Sequence, residues 1–337
     1  TIAGDPWRNR GPVLLRWDGG ALHVEQLILE SPLGSFSAQG RLEPGGPVDV
    51  DLRGEVPLGI LPALTPAVEQ ASGRLSLRGA VQGSTAAPRL EGEGRLQDAA
   101  LRLGGYPDPL REVEARFTVS PAGVQVERVR GRIGDGRFEG DGIALLEGAR
   151  LGSYRFRLVG QALPLVPLEG LRTVWDAELE LVGSASRALL QGEARLQRGS
   201  YTQDLSLLGL LLAPRAGPAP GPELDLHLRV ALAFPAPIVV RTPVARTQVG
   251  GSLRVEGTLR SPAVFGTLEA REGQLAFRRQ EFEIVSARAR FADPRRIDPL
   301  LDVEARAEIR QHEVTLRLTG RSQDLDVRFS ASPPLPQ

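Results

Sequence analysis

The chain has 337 residues, with 39 Gly and 27 Pro among them, yet its 41% hydrophobic content is too high for disorder. Its 41 basic residues, all Arg, balance 41 acidic ones, which leaves no basic surplus to hold a nucleic-acid backbone. Cys is absent, which removes disulfides and thiolate sites, and aromatics at 5% leave the apolar positions mainly to Leu, Val and Ala.

From the first residues, apolar side chains fall on alternate positions in short runs. Val13, Leu15 and Trp17 are followed by Leu22 and Val24, with Gly19-Gly20 between them as a hairpin turn. Phe36 to Leu42 and Val48 to Leu52 continue the pattern. Leu58 to Glu69 breaks it and reads as a short helix or a loop, since two prolines argue against a long helix. At Gly73 a phrase begins (Gly73, Leu75, Leu77, Gly79, then Pro88, Leu90, Gly92) that returns near Leu179 and again at Gly251. The separations are uneven, so this is a repeated strand grammar and not a countable solenoid repeat. Val113, Phe117, Phe156 and Leu158 mark strands between the copies, and Asp135-Gly136 is a two-residue turn signal.

Leu205 to Leu212 (LSLLGLLL) is the most apolar run, too short to span a bilayer as a helix. It reads as a plug or cap on a greasy face, or as an interfacial or docking element. The Pro/Gly-rich stretch 213–222 after it is a candidate hinge or loop within one elongated unit, 1–337. Beyond it, Leu224, Leu226, Leu228, Val230, Leu232 and Phe234 alternate with Asp225, His227 and Arg229. Because strand side chains point to opposite faces with a period of two, each run has one apolar and one charged face.

Within 223–337 the order is more specific: Gly-x-Leu-x-Val-x-Gly (Gly251 to Gly257), Ser-Pro-x-Val-x-Gly (Ser261 to Gly266), Gly273 before a short strand, Phe291 closing one, then Pro-Leu-Leu-Asp-Val-x-Ala (Pro299 to Ala305). Gly257, Gly266, Gly273 and Gly320 are taken as turn punctuation. This order resembles the C-terminal β-rich domain of the TamB family, the inner-membrane subunit of the translocation and assembly module, and more broadly the AsmA-like bridge-like lipid transfer proteins. The Ser332 to Leu335 stretch resembles the point just before that family's last segment.

The strand grammar and the resemblance give an all-β expectation: an elongated, curled antiparallel sheet, groove-like, with one continuous apolar inner face and few short helices. Roughly 25 to 30 strands are counted, and a sheet of that size curls, splits or closes. At about 4.8 Å per strand, one continuous sheet would extend on the order of 120 to 140 Å. Its apolar face could fold over itself, close as a barrel, pack as serial sandwiches or line a groove. A transmembrane β-barrel also alternates, but scarce aromatics, interrupting Gly and Pro and uneven strands argue against it.

The resemblance implies a hydrophobic groove across the periplasm that conducts phospholipid between inner and outer membranes, with an outer-membrane β-barrel (TamA-like) assembly partner. The alternative is a scaffold supporting outer-membrane protein assembly without lipid conduction. It further implies a periplasmic protein of a diderm bacterium, anchored upstream of Thr1; the chain has no Met and reads as a piece of a longer protein. Acyl-chain contacts would fall on Leu75, Leu77, Val113, Phe117, Phe156, Leu158, Leu179 and Leu181. After the hinge they would fall on Leu224, Leu226, Leu228, Val230, Leu253, Val255, Leu268, Leu275, Phe277, Phe282 and Ile284, then on Val303, Val314, Leu316, Leu318, Val327 and Phe329. For any one of these, plain core packing is the competing reading.

No catalytic constellation is found. His23, His227 and His312 lie far apart without metal-ligand spacing, so neither metal nor cofactor is expected. No nucleophile elbow, P-loop or dinucleotide fingerprint occurs, and the chain is read as non-enzymatic.

Overall fold

Alternation over long stretches makes strands, and here it makes long ones. The computed structural model describes residues 8–31, 34–64, 68–104, 108–147, 150–202, 225–259, 261–277, 280–309, 312–321 and 324–333. Twenty-one strands are found among them, fewer than the count expected, because several reach 17 to 19 residues. The difference has a physical cause. Gly257, Gly266 and Gly320 lie inside strands and Gly273 begins one, so these glycines do not end strands. Where a chain must approach its neighbour closely, Gly serves a strand interior as well as a turn.

The chain divides into two compact units, Thr1–Val159 with Leu181–Ser186, and Gly160–Glu180 with Arg187–Gln337. The first holds β1 (Arg8–Asn9), β2 (Leu14–Trp17), β3 (Leu22–Ser31), β4 (Gly34–Leu42) and β5 (Pro47–Pro57). A 3-10 turn, Leu58–Ile60, and a one-turn helix α1, Leu61–Leu64, follow, which resolves the expected break in favour of a short helix. Then come β6 (Val68–Ser84), β7 (Ala87–Leu103), β8 (Leu110–Ser120), β9 (Gly123–Ile133) and β10 (Gly136–Glu147). From β3 to β10 each strand pairs antiparallel with the next. β11 (Arg150–Leu168) and β12 (Leu171–Ser184) each contribute to both units.

The second unit continues with β13 (Arg187–Tyr201), β14 (Asp225–Arg241), β15 (Ala245–Thr258), β16 (Ser261–Ala270), β17 (Gly273–Phe277) and β18 (Gln280–Phe291). It ends with β19 (Leu300–Ile309), β20 (His312–Arg321) and β21 (Asp324–Ser332). Here the antiparallel expectation needs one correction: β13 and β14 pair in parallel, Arg187 opposite Asp225 and Ala194 opposite Leu232. Parallel neighbours need a crossover of a dozen residues or more, and the chain between Tyr201 and Asp225 is long enough to supply it. The apolar run and the candidate hinge at 213–222 fall on that connection and lie outside the described residues.

Three hydrophobic clusters anchor the units from within. In the first, Leu58, Ala99 and Val113 are buried, so the short helical break caps the strands it interrupts. In the second, one cluster centres on Trp175 and Leu196, another on Phe282, Ala305 and Leu316. Trp175 packs edge-on against Phe234 at 5.5 Å between centroids, and its Nε1 donates to Thr173 Oγ1 at 2.7 Å. Thr173 donates in turn to the Leu165 carbonyl at 2.8 Å, so the indole carries no unsatisfied donor into the core.

Candidate functional site

Directly opposite residues of neighbouring strands share a face, so the register can be read as rows running across the sheet. In the first unit one row runs Leu29, Phe36, Gly54, Leu77, Gly94, Phe117, Val126, Gly142. The row beside it runs Val56, Leu75, Leu96, Ala115, Val129, Gly140. In the first of these rows Gly54, Gly94 and Gly142 stand among the large side chains. The glycine leaves room for a neighbouring ring: a Cβ on Gly94 would stand 2.1 Å from Phe117 Cζ.

In the second unit the rows are equally continuous. Gly192, Val230, Val255 and Val264 form one. Phe234, Gly251, Leu268, Ala289, Leu301, Gly320 and Leu325 form another. Ala270, Ala287, Val303, Leu318 and Val327 form a third, and Ile284, Ala305, Leu316 and Phe329 a fourth. Gly251 has φ +148°, and a Cβ there would meet the Thr267 carbonyl oxygen at 2.1 Å, so the first glycine of the Gly-x-Leu-x-Val-x-Gly phrase is fixed by strand approach.

Each unit therefore carries an apolar face, and neither face is sealed. Of the eighteen buried apolar residues, half are alanine, and Leu196 and Leu316 are the only large side chains fully buried among the described residues. The expected lining residues divide accordingly. Leu77, Val327 and Phe329 are exposed. Leu75, Phe117, Phe156, Leu158, Leu179, Leu181, Leu226, Leu228, Val230, Leu253, Val255, Leu268, Leu275, Phe277, Val303, Val314 and Leu318 are half-buried. Val113, Phe282, Ile284 and Leu316 are buried. Leu224 lies outside the described residues.

The opposite face is polar. Arg288 Nε donates to Glu269 Oε1 at 2.9 Å, and Arg317 and Arg306 both reach Glu304, at 2.7 and 3.1 Å. Those two guanidiniums hold the Glu304 carboxyl below the usual carboxylate range. All are solvent-facing pairs, which contribute little to stability individually. They keep that face wet. At the end of the Trp175 cluster, burial pushes the Tyr201 hydroxyl up, with the Glu169 charge adding to it.

The histidines stay apart. His23 pairs with Asp18 at 2.7 Å, His227 with Asp225 at 3.1 Å, and His312 Nδ1 donates to the Pro333 carbonyl at 2.9 Å. Among the described residues no group of three or more His, Cys, Asp or Glu could hold a metal ion. No helix among them is long and apolar enough to cross a membrane, which says nothing of strands.

Sequence reading missed how the rows are composed. Leu29, Phe36, Leu96 and Val126 belong to the same apolar lattice as the residues named in advance, and only register reveals it. The pairing of a glycine with the ring on the next strand leaves no mark at fixed sequence spacing.

In comparison with known proteins, the TamB C-terminal domain matches residues 127–337. That match begins within β9 and takes in every row described in the second unit. No curated protein matches the chain.

Proposed function

The chain belongs to the TamB family, and from that premise we propose that its apolar rows form a hydrophobic groove that conducts phospholipid between the inner and outer membranes. Family membership supports a TamB-like role in the cell envelope in general, in a periplasm-spanning protein anchored in the inner membrane. The observation that carries the finer reading is the open apolar face. Rows of Leu, Val and Phe pass from strand to strand in register, and most of their side chains keep part of their surface uncovered. An acyl chain laid along such a row gains about 0.8 kcal/mol for each methylene it buries. A lining this uniform offers no single deep site, so a tail held on it can also move along it. The reading needs no catalytic group.

The test is mass spectrometry of the native protein, purified from a bacterial envelope under mild conditions, followed by lipid extraction. Several phospholipids per chain are expected. Leu228→Asp and Leu77→Asp, placed at partly open positions, should leave the protein folded and reduce the bound lipid. Folded, monomeric protein free of lipid would sink the conduit.

A second reading is support of outer-membrane protein assembly through a β-barrel partner, without lipid conduction. The observation favouring it is β21, which pairs with β20 and with no other strand among the described residues, and which carries exposed Val327 and Phe329. An unpaired edge is a template for strand addition. Lipid-free protein that still captures a β-barrel partner through this edge would select it.

A further inference from the structure

On the polar face of the first unit some rows set opposite charges across from one another. Arg130 stands in register between Glu114 and Glu139, and donates Nε and Nη2 to Glu114 Oε2 at 3.1 and 2.7 Å. Arg78 stands opposite Glu93. Between these rows the matching fails. Arg95 faces Arg116, and Arg116 faces Arg128, so three guanidinium side chains stand abreast on β7, β8 and β9.

All three are exposed, and none forms an ion pair within the described residues. They line a concavity of about 450 Å³ together with Arg130, Glu114 and Glu127. The register slips there, with Arg116 opposite Arg128 but Phe117 opposite Val126, so Glu127 is the extra residue of a bulge. Glu114 is already bound by Arg130, and Glu127 makes no ion pair within 4 Å among the described residues. Three guanidiniums thus share one uncommitted carboxylate.

Like charges directly opposite on neighbouring strands are destabilising. Arginines also face one another elsewhere in the first unit, Arg132 against both Arg111 and Arg137 and Arg53 against Arg78, but the first set lies beside the β9–β10 turn and Arg78 has Glu93 on its other side. In the second unit Arg241 faces Arg246 where the pair closes a hairpin, and Arg317 faces Arg328, but each of those two already reaches a carboxylate, Glu304 and Asp326. The row on β7, β8 and β9 is mid-strand and has concave space in front of it.

We propose that this arginine row is a binding site for phosphate groups, and specifically for a diphosphate or a phosphodiester headgroup. Two strand spacings set the three side chains over about 10 Å. Each guanidinium offers a planar fork that meets a phosphate with two parallel hydrogen bonds, which a single point charge cannot do. A ligand with two anionic centres would turn a repulsive row into an attractive one. The site lies on the polar face and is independent of the groove reading, so either can fail without the other.

The experiment uses the intact chain at low ionic strength. Inorganic pyrophosphate is titrated calorimetrically, and sedimentation is compared for vesicles of phosphatidylglycerol and of phosphatidylcholine. Pyrophosphate should bind, and Arg116→Gln should weaken that binding at least tenfold. Arg328→Gln, whose arginine is already paired with Asp326, should leave it unchanged. If only the phosphatidylglycerol vesicles bind, with the same dependence on Arg116, the site takes a lipid headgroup and not a free phosphate. Arg116→Glu puts an opposite charge between Arg95 and Arg128; it should raise Tm without ligand and abolish binding. Binding that ignores Arg116, no binding of either probe, or no gain in Tm with Arg116→Glu would each overturn the proposal.

Discussion

The cluster around Leu316 and the row through Leu77 are written in the same alternating grammar and reach opposite ends. Around Leu316, apolar residues without glycine stand on consecutive strands: Ile284, Ala305, Leu316 and Phe329 lie in one row, with Phe282 packed in the same region. Phe329 lies 5.6 Å from the Phe277 ring and 6.4 Å from the Phe282 ring, centroid to centroid. These side chains cover one another and Leu316 reaches 0% exposure. Along the other row, Gly54 and Gly94 flank Leu77, which remains 37% exposed. Alternation decides which face is apolar. Cross-strand neighbours decide whether that face closes.

The most severe way to break this contrast is a charge in the closed cluster. Leu316→Asp would bury an unpaired carboxylate and should cost on the order of 4 kcal/mol or more, read by urea denaturation. Leu316→Ala, which leaves a cavity, should cost about 2–5 kcal/mol. Leu77→Ala in the open row should cost about 1 kcal/mol or less, since its neighbours are glycines and water already reaches it. Equal losses at the two positions would show the open row to be a closed core.

A smaller effect sharpens the role of glycine. In Gly94→Ala the new methyl collides with the Phe117 ring, and displacing that ring should cost about 1–3 kcal/mol. Shortening the ring to Leu in the double variant should recover part of the loss, since the two residues stand directly opposite each other. Of similar size, Thr173→Val removes the acceptor of the Trp175 indole N–H in a buried place and should cost about 1–3 kcal/mol.

Much of the fold was legible because it rests on a period of two. The alternating run through Leu226 to Phe234 and the Pro299 to Ala305 phrase fall on strands β14 and β19. The Gly19-Gly20 turn falls where turn chemistry puts it, while the turn expected at Asp135-Gly136 is shifted by one residue to Gly134-Asp135, with Gly136 already paired to Ile133 in β10. What stayed hidden depends on register. Nothing local distinguishes Leu316, which is sealed, from Leu318, two residues along the same face and half-buried. The parallel pairing of β13 with β14 was equally invisible, because each strand alone reads like its antiparallel neighbours. Gly257 and Gly266 read as turns in the sequence because a glycine that allows close strand approach has the same one-letter signature.

The last and smallest prediction concerns the most open part of the first unit. In β2, Leu14, Leu15 and Trp17 are all exposed, so the β2–β3 hairpin has little apolar cover and leans on its turn. There Asp18 Oδ1 accepts from the Ala21 N–H at 2.9 Å, while Oδ2 meets His23 Nε2 at 2.7 Å. The His23 hydrogen bond, with the backbone N–H groups of Ala21 and Gly20, lowers the Asp18 pKa from 3.8 to about 2. A carboxyl whose folded pKa is depressed adds stability that is full above its unfolded value. That stability drains away as pH falls through the folded one. The hairpin should therefore hold its Ala21 amide against exchange above about pH 4 and lose that protection progressively towards pH 2. Asp18→Asn keeps an acceptor for the Ala21 N–H but cannot ionise, so its protection should be lower and flat over the same range. A wild-type Asp18 carboxyl that titrates by NMR at the ordinary value would show that the turn, like the apolar face beside it, is held only loosely.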